Sequence, residues 1–473
     1  MIESLTSCLR KINESYERIF RLQRGLENNS VLGVYAAALL SFAISFQSWF
    51  TIGIGLPASQ RSLGQCPTYF QNCEILSRWP ESFFLTFYIF VFHWLVAMAW
   101  ALIRKKAGLA HASLLVLTLT SLFLAFALPH PREIPFLFFH LVPCVTLLFS
   151  RKTMVDLKWI WVTLYFASGL VKLHESWIAG TYFYALETGL PFFPDFAIPL
   201  LTHLVLFFEL IGIWWVFSNT PRLRQTVYLF FIVFHIYSIA LVGFRYPFYT
   251  LPLLVLLFDP AEPRREFPTR FATALGLIII FFNIYPWLLR GDHKITFQGT
   301  EFAMNMFDAN RQMRSEATIL RAGSSSSIQS GSFEAFARPS PYSTWLSLRS
   351  SCLEPDVQSI RWTFDVAMNG ARFFRIVDTP DLCQLTYLPF QNNEWIATND
   401  IGLGYPSKNV YFERNKTKAS AALPEPSATP QIRLNGLAEF LKNHVRSFQF
   451  FYFVVGFFSA IVCFRSLRRA RFS

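Results

Sequence analysis

Charge is what this sequence has least of. Only 15% of its 473 residues are Asp, Glu, Lys or Arg, against roughly 25% in a soluble globular domain. That shortage excludes a water-soluble enzyme, a disordered chain and a coiled coil, each of which needs far more polar surface. Cysteine is scarce as well: seven residues are too few for a disulfide framework. No P-loop, no Gly-rich dinucleotide fingerprint and no Gly-x-Ser-x-Gly elbow occurs, which removes the commonest nucleotide and hydrolase readings. No two histidines stand at the i, i+4 spacing of a helical metal site, so no metal is predicted. The first thirty residues mix both charges and have no apolar centre, so the first span is expected to insert without cleavage.

What is present is apolar and aromatic. Hydrophobic residues make up 53% of the chain, with 53 Phe and 13 Trp, and the mean hydropathy is +0.35. About ten apolar segments are legible, near 31–55, 81–103, 108–129, 134–150, 155–173, 198–218, 225–244, 246–258, 269–290 and 447–464, each to be judged against the roughly 20 helical residues that cross a bilayer. The 246–258 piece is short enough to be half of a bent hairpin. The predicted fold is a polytopic α-helical membrane protein with a small extracytoplasmic β-rich module and a C-terminal membrane span.

Basic residues set the expected orientation. Arg10, Lys11, Arg18, Arg21, Arg24, Arg104, Lys105, Lys106, Arg151, Lys152, Arg222, Arg224, Arg264, Arg265, Arg465, Arg468, Arg469 and Arg471 all fall on one side, and only Arg61, Arg78, Arg132 and Arg245 lie in short loops on the other. The positive-inside rule then predicts a cytoplasmic segment 1–30, a helical catalytic domain 31–290, an extracytoplasmic stretch 291–446 and a C-terminal anchor with a basic tail, 447–473, so that both termini are cytoplasmic. The net charge of +12 is accounted for by these loops, and no nucleic-acid partner is expected. Cys66, Cys73, Cys352 and Cys383 fall outside, where a cystine can persist, with the pairing left open. Asn415-Lys416-Thr417 is an outside sequon.

The 291–446 stretch is polar. Its alternating runs Thr363–Ala367 and Arg372–Val377 predict strands. Gly323–Ser327 and the Pro-rich 423–430 read as flexible connectors, and the β-rich module is expected at about 333–415.

Ionisable groups inside apolar spans are costly and are candidate functional residues by default. The richest stretch is Leu164–Gly180. On a helix Tyr165, Gly169 and Lys172 share one face, with Ser168 four residues before Lys172, and the small Ser168 and Gly169 would let another helix or a flat ligand come close. Two readings of Lys172 stand side by side. At the end of a span it can snorkel to the headgroups; in a desolvated pocket it is a neutral amine and therefore a base or nucleophile. Glu209, well within its span, must be protonated, paired or facing a cavity. His235 and His140 are mid-span candidates, and His93 and His203 lie in or near spans. Trp177 follows the lysine closely.

The stretch Tyr165-Phe166, Ser168-Gly169, Lys172-Leu173, Trp177 and Gly180 resembles vitamin K-dependent γ-glutamyl carboxylase and its bacterial relatives, the horizontally transferred transmembrane domain family. Phe234-His235, Gly243-Phe244-Arg245-Tyr246 and Phe302–Phe307 are similar to later parts of the same family, and the resemblance covers about 30–415. It differs at Val171 and Ser238, and Pro129–Glu133 offers no counterpart to an Asn-His pair of the animal enzymes. The resemblance implies that Lys172 deprotonates vitamin K hydroquinone or a related quinol. O2 then oxidises the quinol to its epoxide, and CO2 carboxylates the γ-carbon of a peptide glutamate. Tyr165, Ser168, Gly169, Trp177, His235, Glu209 and His140 become candidates for the quinol pocket. The partners implied are the lipid bilayer, a secreted or periplasmic peptide substrate and a quinone reductase. The competing readings are a family-related maturation factor for a secreted peptide, and a non-enzymatic lipid-binding protein or transporter, which would depend on Glu209.

Overall fold

The computed structural model describes residues 29–55, 81–127, 134–186, 189–242, 244–258, 266–300, 302–304, 311–322, 324–331, 340–369, 372–396, 399–404 and 434–472. The helical body begins with α1 (Asn29–Gly55), α2 (Glu81–Ile103), α3 (Ala107–Ala127), α4 (Ile134–Phe149) and α5 (Thr153–Val171). Two single turns follow, α6 (Glu175–Ile178) and α7 (Thr181–Tyr184), then α8 (Ile198–Leu210), α9 (Pro221–Val242), α10 (Arg245–Leu257) and α11 (Arg270–Ile284). Among the described residues six stretches are long and apolar enough to cross a membrane: Asn29–Phe46, Leu85–Ile103, Thr153–Val171, Pro221–Leu241, Arg270–Leu288 and Val445–Leu467. Shorter apolar stretches lie at Ala107–Phe123, Phe138–Phe149 and Tyr246–Leu257. These are the helices of a multi-pass membrane protein. The apolar segment expected at 198–218 is not one continuous α-helix: α8 ends at Leu210, and the chain tightens into a 3₁₀ stretch over Gly212–Phe217.

The centre of the body is α5, buried without a break from Trp159 to Val171. A helix apolar all round can be stable only when wrapped by others, and α5 packs on α4, α8 and α11. Its first turn is clamped by Asp156, whose carboxylate accepts from the Thr269 backbone N–H (2.8 Å), the Thr269 hydroxyl (2.5 Å) and the Ser150 hydroxyl (2.5 Å). Trp159 Nε1 donates to the Glu266 carbonyl (2.9 Å) one turn later. A buried carboxylate saturated by three donors is satisfied structurally, and this clamp fixes α5 against the start of α11.

The polar part opens with the single turn α12 (His293–Thr296) and contains β1 (Arg311–Arg321), β2 (Ser324–Gly331), α13 (Pro341–Arg349), β3 (Val357–Met368), β4 (Arg372–Thr379) and β5 (Asn399–Gly404). The strands form one antiparallel sheet in the order β2-β1-β3-β4-β5. The expected strand runs at 363–367 and 372–377 are the central hairpin. Two boundaries differ from expectation. Ser324–Ser327, read as a flexible connector, belongs to β2 and pairs with Arg321–Thr318, and the sheet starts at Arg311 rather than near 333. The neighbouring strand supplies the ladder partners that a Ser-rich run cannot advertise by composition. The connector expected at 423–430, the sequon at Asn415, Cys8, Cys66 and Cys73 lie outside the described residues. Cys352 and Cys383 form a disulfide with Cα atoms 5.7 Å apart.

The module's core is aromatic, built on Trp345, Trp362, Phe364 and Tyr387. From Phe364 to Met368 β3 is buried on both faces, because the end of the β3–β4 hairpin presses on the helical body. The chain closes with α14 (Gly436–Asn443) and α15 (Val445–Phe472). The latter does not hang free as a detached anchor. Gln449 Nε2 donates to the Leu173 carbonyl (2.8 Å), Tyr452 pairs with His203 (2.8 Å), and Gly456 faces Phe166 and Leu210.

Candidate functional site

The site is built where α5 ends. After Val171 the helix tightens: the Lys172 N–H donates to the Gly169 carbonyl and the Leu173 N–H to the Leu170 carbonyl, both at 3.1 Å, and His174 takes an extended conformation as the N-cap of α6. Every Cα–Cβ bond in a helix leans toward its N-terminus, so a long side chain at this last position runs back along α5 and not out to the surface. Lys172 Nζ accordingly donates to Ser168 Oγ one turn below (2.8 Å). It also meets both oxygens of Glu209, at 2.5 and 2.6 Å. Three ammonium donors thus have three acceptors. Lys172 is 4% exposed and Glu209 1%. The lysine is therefore not snorkelling, and the carboxylate is paired.

Glycine makes this pairing reachable. A Cβ on Gly169 would stand 2.8 Å from Leu210 side-chain atoms and 3.1 Å from Glu209 Cβ. Without it, α8 could not approach α5 closely enough for a carboxylate to reach the amine. Gly180, φ +71, makes the turn between α6 and α7, where a Cβ would lie 2.5 Å from Ile198. On the preceding single turn α6, Trp177 stands beside the pair, with Lys172 Nζ 5.1 Å from its ring centroid. This is cation–π range. Trp177 Nε1 is buried and has no hydrogen-bond acceptor among the described residues.

A second polar arm comes from α9 and α10. Tyr165 Oη is hydrogen-bonded to His235 Nε2, and His235 Nδ1 meets Thr250 Oγ1 at 3.1 Å. Tyr165, His235 and Thr250 are fully buried. Tyr165 sits among Phe231, Phe139 and Trp161. Tyr165 and Tyr246 lie within electrostatic range of Glu209, and His235 within range of Lys172.

Of the residues singled out in the sequence, Lys172, Ser168, Gly169, Glu209 and Trp177 meet in one cluster, and Tyr165 with His235 forms the adjoining arm. His140 is elsewhere: its Nδ1 pairs with Ser41 Oγ (2.6 Å) between α1 and α4. His203 is engaged by Tyr452 and the Ile178 carbonyl. His93 bonds the Ile89 carbonyl on an exposed face. No group of three or more His, Cys, Asp or Glu able to hold a metal occurs among the described residues.

Sequence reasoning missed Thr250 and a polar seam between module and body. His174 Nε2 meets Asp292 Oδ2 (2.9 Å), and His174 Nδ1 meets Ser176 Oγ (3.0 Å). Asn369, at the end of β3 with φ +53, donates to Ser176 Oγ (3.0 Å) and Thr181 Oγ1 (3.3 Å). Burial alone would raise the Asp292 carboxyl, but His174 and His293 beside it and the Lys294 N–H hold it well below the usual carboxylate range. The dipeptide Asn369-Gly370 between two alternating runs is a hairpin signal that could have flagged the tip; nothing in the sequence indicated its docking partner. Compared with known proteins, the chain matches no family model, no curated protein and no solved structure.

Proposed function

We propose that the Lys172–Glu209 pair is the acid–base centre of a membrane enzyme that oxidises a lipid-soluble quinol with O2. The observation that carries this reading is a desolvated lysine and carboxylate in two-oxygen contact inside an apolar helical body. Such a pair is a poor device for stability, since well-packed apolar residues of the same volume usually do as well or better. As a proton-handling unit it is well made. Glu209 can take up and store a proton, and Lys172 keeps a positive charge facing whatever anion that leaves behind. Trp177 supplies a flat apolar wall and an indole N–H that has no acceptor among the described residues, which fits an oxygen on an aromatic ring. A bound hydroquinone would supply two electrons and two protons. The surrounding Phe, Trp and Leu side chains keep water out, as a strong base requires.

Vitamin K hydroquinone or a related quinol is the ligand class that this chemistry and the family resemblance share. Carboxylation of a peptide glutamate with CO2 is the extended form of the proposal. The module seam at Asn369 and Ser176 lies four residues from Lys172 and would bring a secreted peptide close. We place both termini in the cytoplasm and 291–446 outside, with all ten apolar segments in or at the membrane, on the distribution of Arg and Lys.

The test uses the full chain in lipid nanodiscs with a naphthohydroquinone, O2 and labelled bicarbonate. Wild type is expected to form the epoxide and Lys172→Ala to form none. Absence of epoxide from wild type overturns the proposal. Epoxide without fixed label restricts it to oxidation. Thiol labelling of single cysteines placed at 340–350 and at 104–106 checks the sidedness; access from the cytoplasmic face at 340–350 would refute it.

A further inference from the structure

The arm made by Tyr165, His235 and Thr250 has a direction that counting donors and acceptors fixes. The Thr250, His235 and Tyr165 protons all find acceptors together only when the Thr250 hydroxyl donates to a backbone carbonyl of its own helix, Tyr246 at 3.2 Å or Pro247 at 3.4 Å, and not to His235 Nδ1 at 3.1 Å. The Thr250 oxygen therefore faces His235 Nδ1 as an acceptor, and Nδ1 carries the imidazole proton. His235 Nε2 is then a lone pair, and the Tyr165 hydroxyl donates to it. A buried phenol is thus aimed at a buried base whose tautomer is set by a third residue. Packing alone does not call for this: three apolar side chains would fill the same space without polar groups to satisfy.

We propose that Tyr165 and His235 form a second proton-accepting unit of the site, with Thr250 as the positioning residue that holds the imidazole in its accepting tautomer. The site is then made for a ligand that gives up two protons, an aromatic diol, and not for a one-proton substrate. This rests on the reading of Lys172 as a quinol-oxidising centre, and it deepens that reading. Oxidation of a hydroquinone to its epoxide by O2 puts one oxygen atom into the ring. The other leaves as water together with two hydrogens, the two phenolic ones. Both protons must be held somewhere between their removal and the release of water. Lys172 with Glu209 provides one place. Tyr165 provides the other: its hydroxyl proton moves to His235 Nε2 as it takes one from the ligand, so no atom on the arm is left short.

The groups facing the arm suit a stepwise order. Lys172 acts on His235, and Glu209 on Tyr165 and Tyr246. A positive charge left at Lys172 disfavours charging His235 at the same moment. The first proton is therefore held at the Lys172–Glu209 unit beside the ligand anion, whose charge neutralises it, while the arm takes the second. Tyr165 and Lys172 lie two turns apart on one face of α5, and the lysine bends back by a turn, toward Tyr165.

The experiment is turnover of a naphthohydroquinone under O2 by the full chain in nanodiscs, with a proton inventory in mixed light and heavy water. Tyr165→Phe keeps the ring that packs on Phe231 and removes only the hydroxyl; it is expected to lower kcat about 100-fold, with KM within about two-fold, and to turn a curved inventory into a linear one. Thr250→Val is expected to lower kcat about ten-fold, and Thr250→Ser, which keeps the hydroxyl, to restore it. If Lys172→Ala is dead while Tyr165→Phe keeps wild-type kcat and a curved inventory, the second unit is refuted and the Lys172 reading stands. If wild type turns over no hydroquinone, the Lys172 reading falls and takes this inference with it. A Thr250→Ser variant as slow as Thr250→Val refutes the positioning role.

Discussion

Removing the Lys172–Glu209 pair one partner at a time and then together separates an interaction kept for stability from one kept for chemistry. Nζ contacts both carboxylate oxygens at 2.5 and 2.6 Å, and neither side chain has meaningful solvent access. Lys172→Met leaves a carboxylate in an apolar interior, and Glu209→Leu leaves an ammonium there. Each is expected to cost about 3–5 kcal/mol, the usual penalty for orphaning one partner of a buried pair. The double variant removes both desolvation penalties and fills the space with hydrocarbon. Replacements of this kind range from about neutral to about 1–4 kcal/mol stabilising. The two single losses would then fail to add by several kcal/mol, more than the roughly 0.5–3 kcal/mol usual between residues in contact.

The assay has two readouts on the same preparations. Thermal unfolding in nanodiscs should place both singles well below wild type, with the double at or above it. Hydroquinone-dependent O2 uptake should be lost in all three. A stable but inactive double variant is the expected signature of a pair retained for proton handling. A double variant as unstable as the sum of the singles would refute the energetic argument, and one that still consumes O2 would refute the chemical one.

Other outcomes follow from neighbouring contacts. Gly169→Leu should drive α8 away from α5, because even a Cβ would meet Leu210 at 2.8 Å; a loss of about 1–3 kcal/mol is expected from overpacking, with O2 uptake abolished even though Lys172 and Glu209 are intact. Asn369→Gly keeps the left-handed turn and removes both donors to Ser176 and Thr181; amide exchange over 174–181 should accelerate, and unchanged protection would mean that the tip does not hold the loop. Asp292 has a carboxyl held below its usual range, so its contribution is fully present above the unfolded value near about 3.9 and is lost only as pH falls through the lower folded value. The difference in protection between wild type and Asp292→Asn should therefore persist at about pH 5, and a difference that vanished there would refute the assignment.

The membrane class was legible because long apolar runs with few charges have no other stable home. The Tyr165–Lys172 face was legible because the spacing that joins Ser168 to Lys172 is internal to one helix. Pairing across helices was not. Glu209 lies 37 residues from Lys172, and whether it met the amine, a cavity or another residue depended on the approach that Gly169 allows. The same holds for Tyr165 and His235, 70 residues apart, and for Cys352 and Cys383, which are partners only because β3 and the turn after β4 bring them together. The Ser324–Ser327 run was misread as a connector because residues that pack weakly give no periodicity, while the hydrogen bonds that make it a strand belong to β1. The winding within the apolar segment 198–218 was not legible for a related reason: hydropathy does not report the change from α to 3₁₀ winding after Leu210.

The position of Lys172 bears on why the pair exists at all. A lysine at the end of a span costs least when its stem extends outward and its ammonium stays wet. Here the side chain turns inward, gives up hydration and is received by a carboxylate that is itself buried, one residue before the end of α8. If orientation in the membrane were the purpose, the basic loops would suffice without it. If stability were the purpose, apolar residues would serve better. What distinguishes the arrangement from both is that its two groups can exchange a proton while the pair stays neutral overall, beside an indole N–H that has no acceptor among the described residues. A neutral pair can sit in low dielectric at modest cost, and it becomes charged only when a ligand hands over or removes a proton. That property suits the reaction on a lipid-soluble acid proposed above.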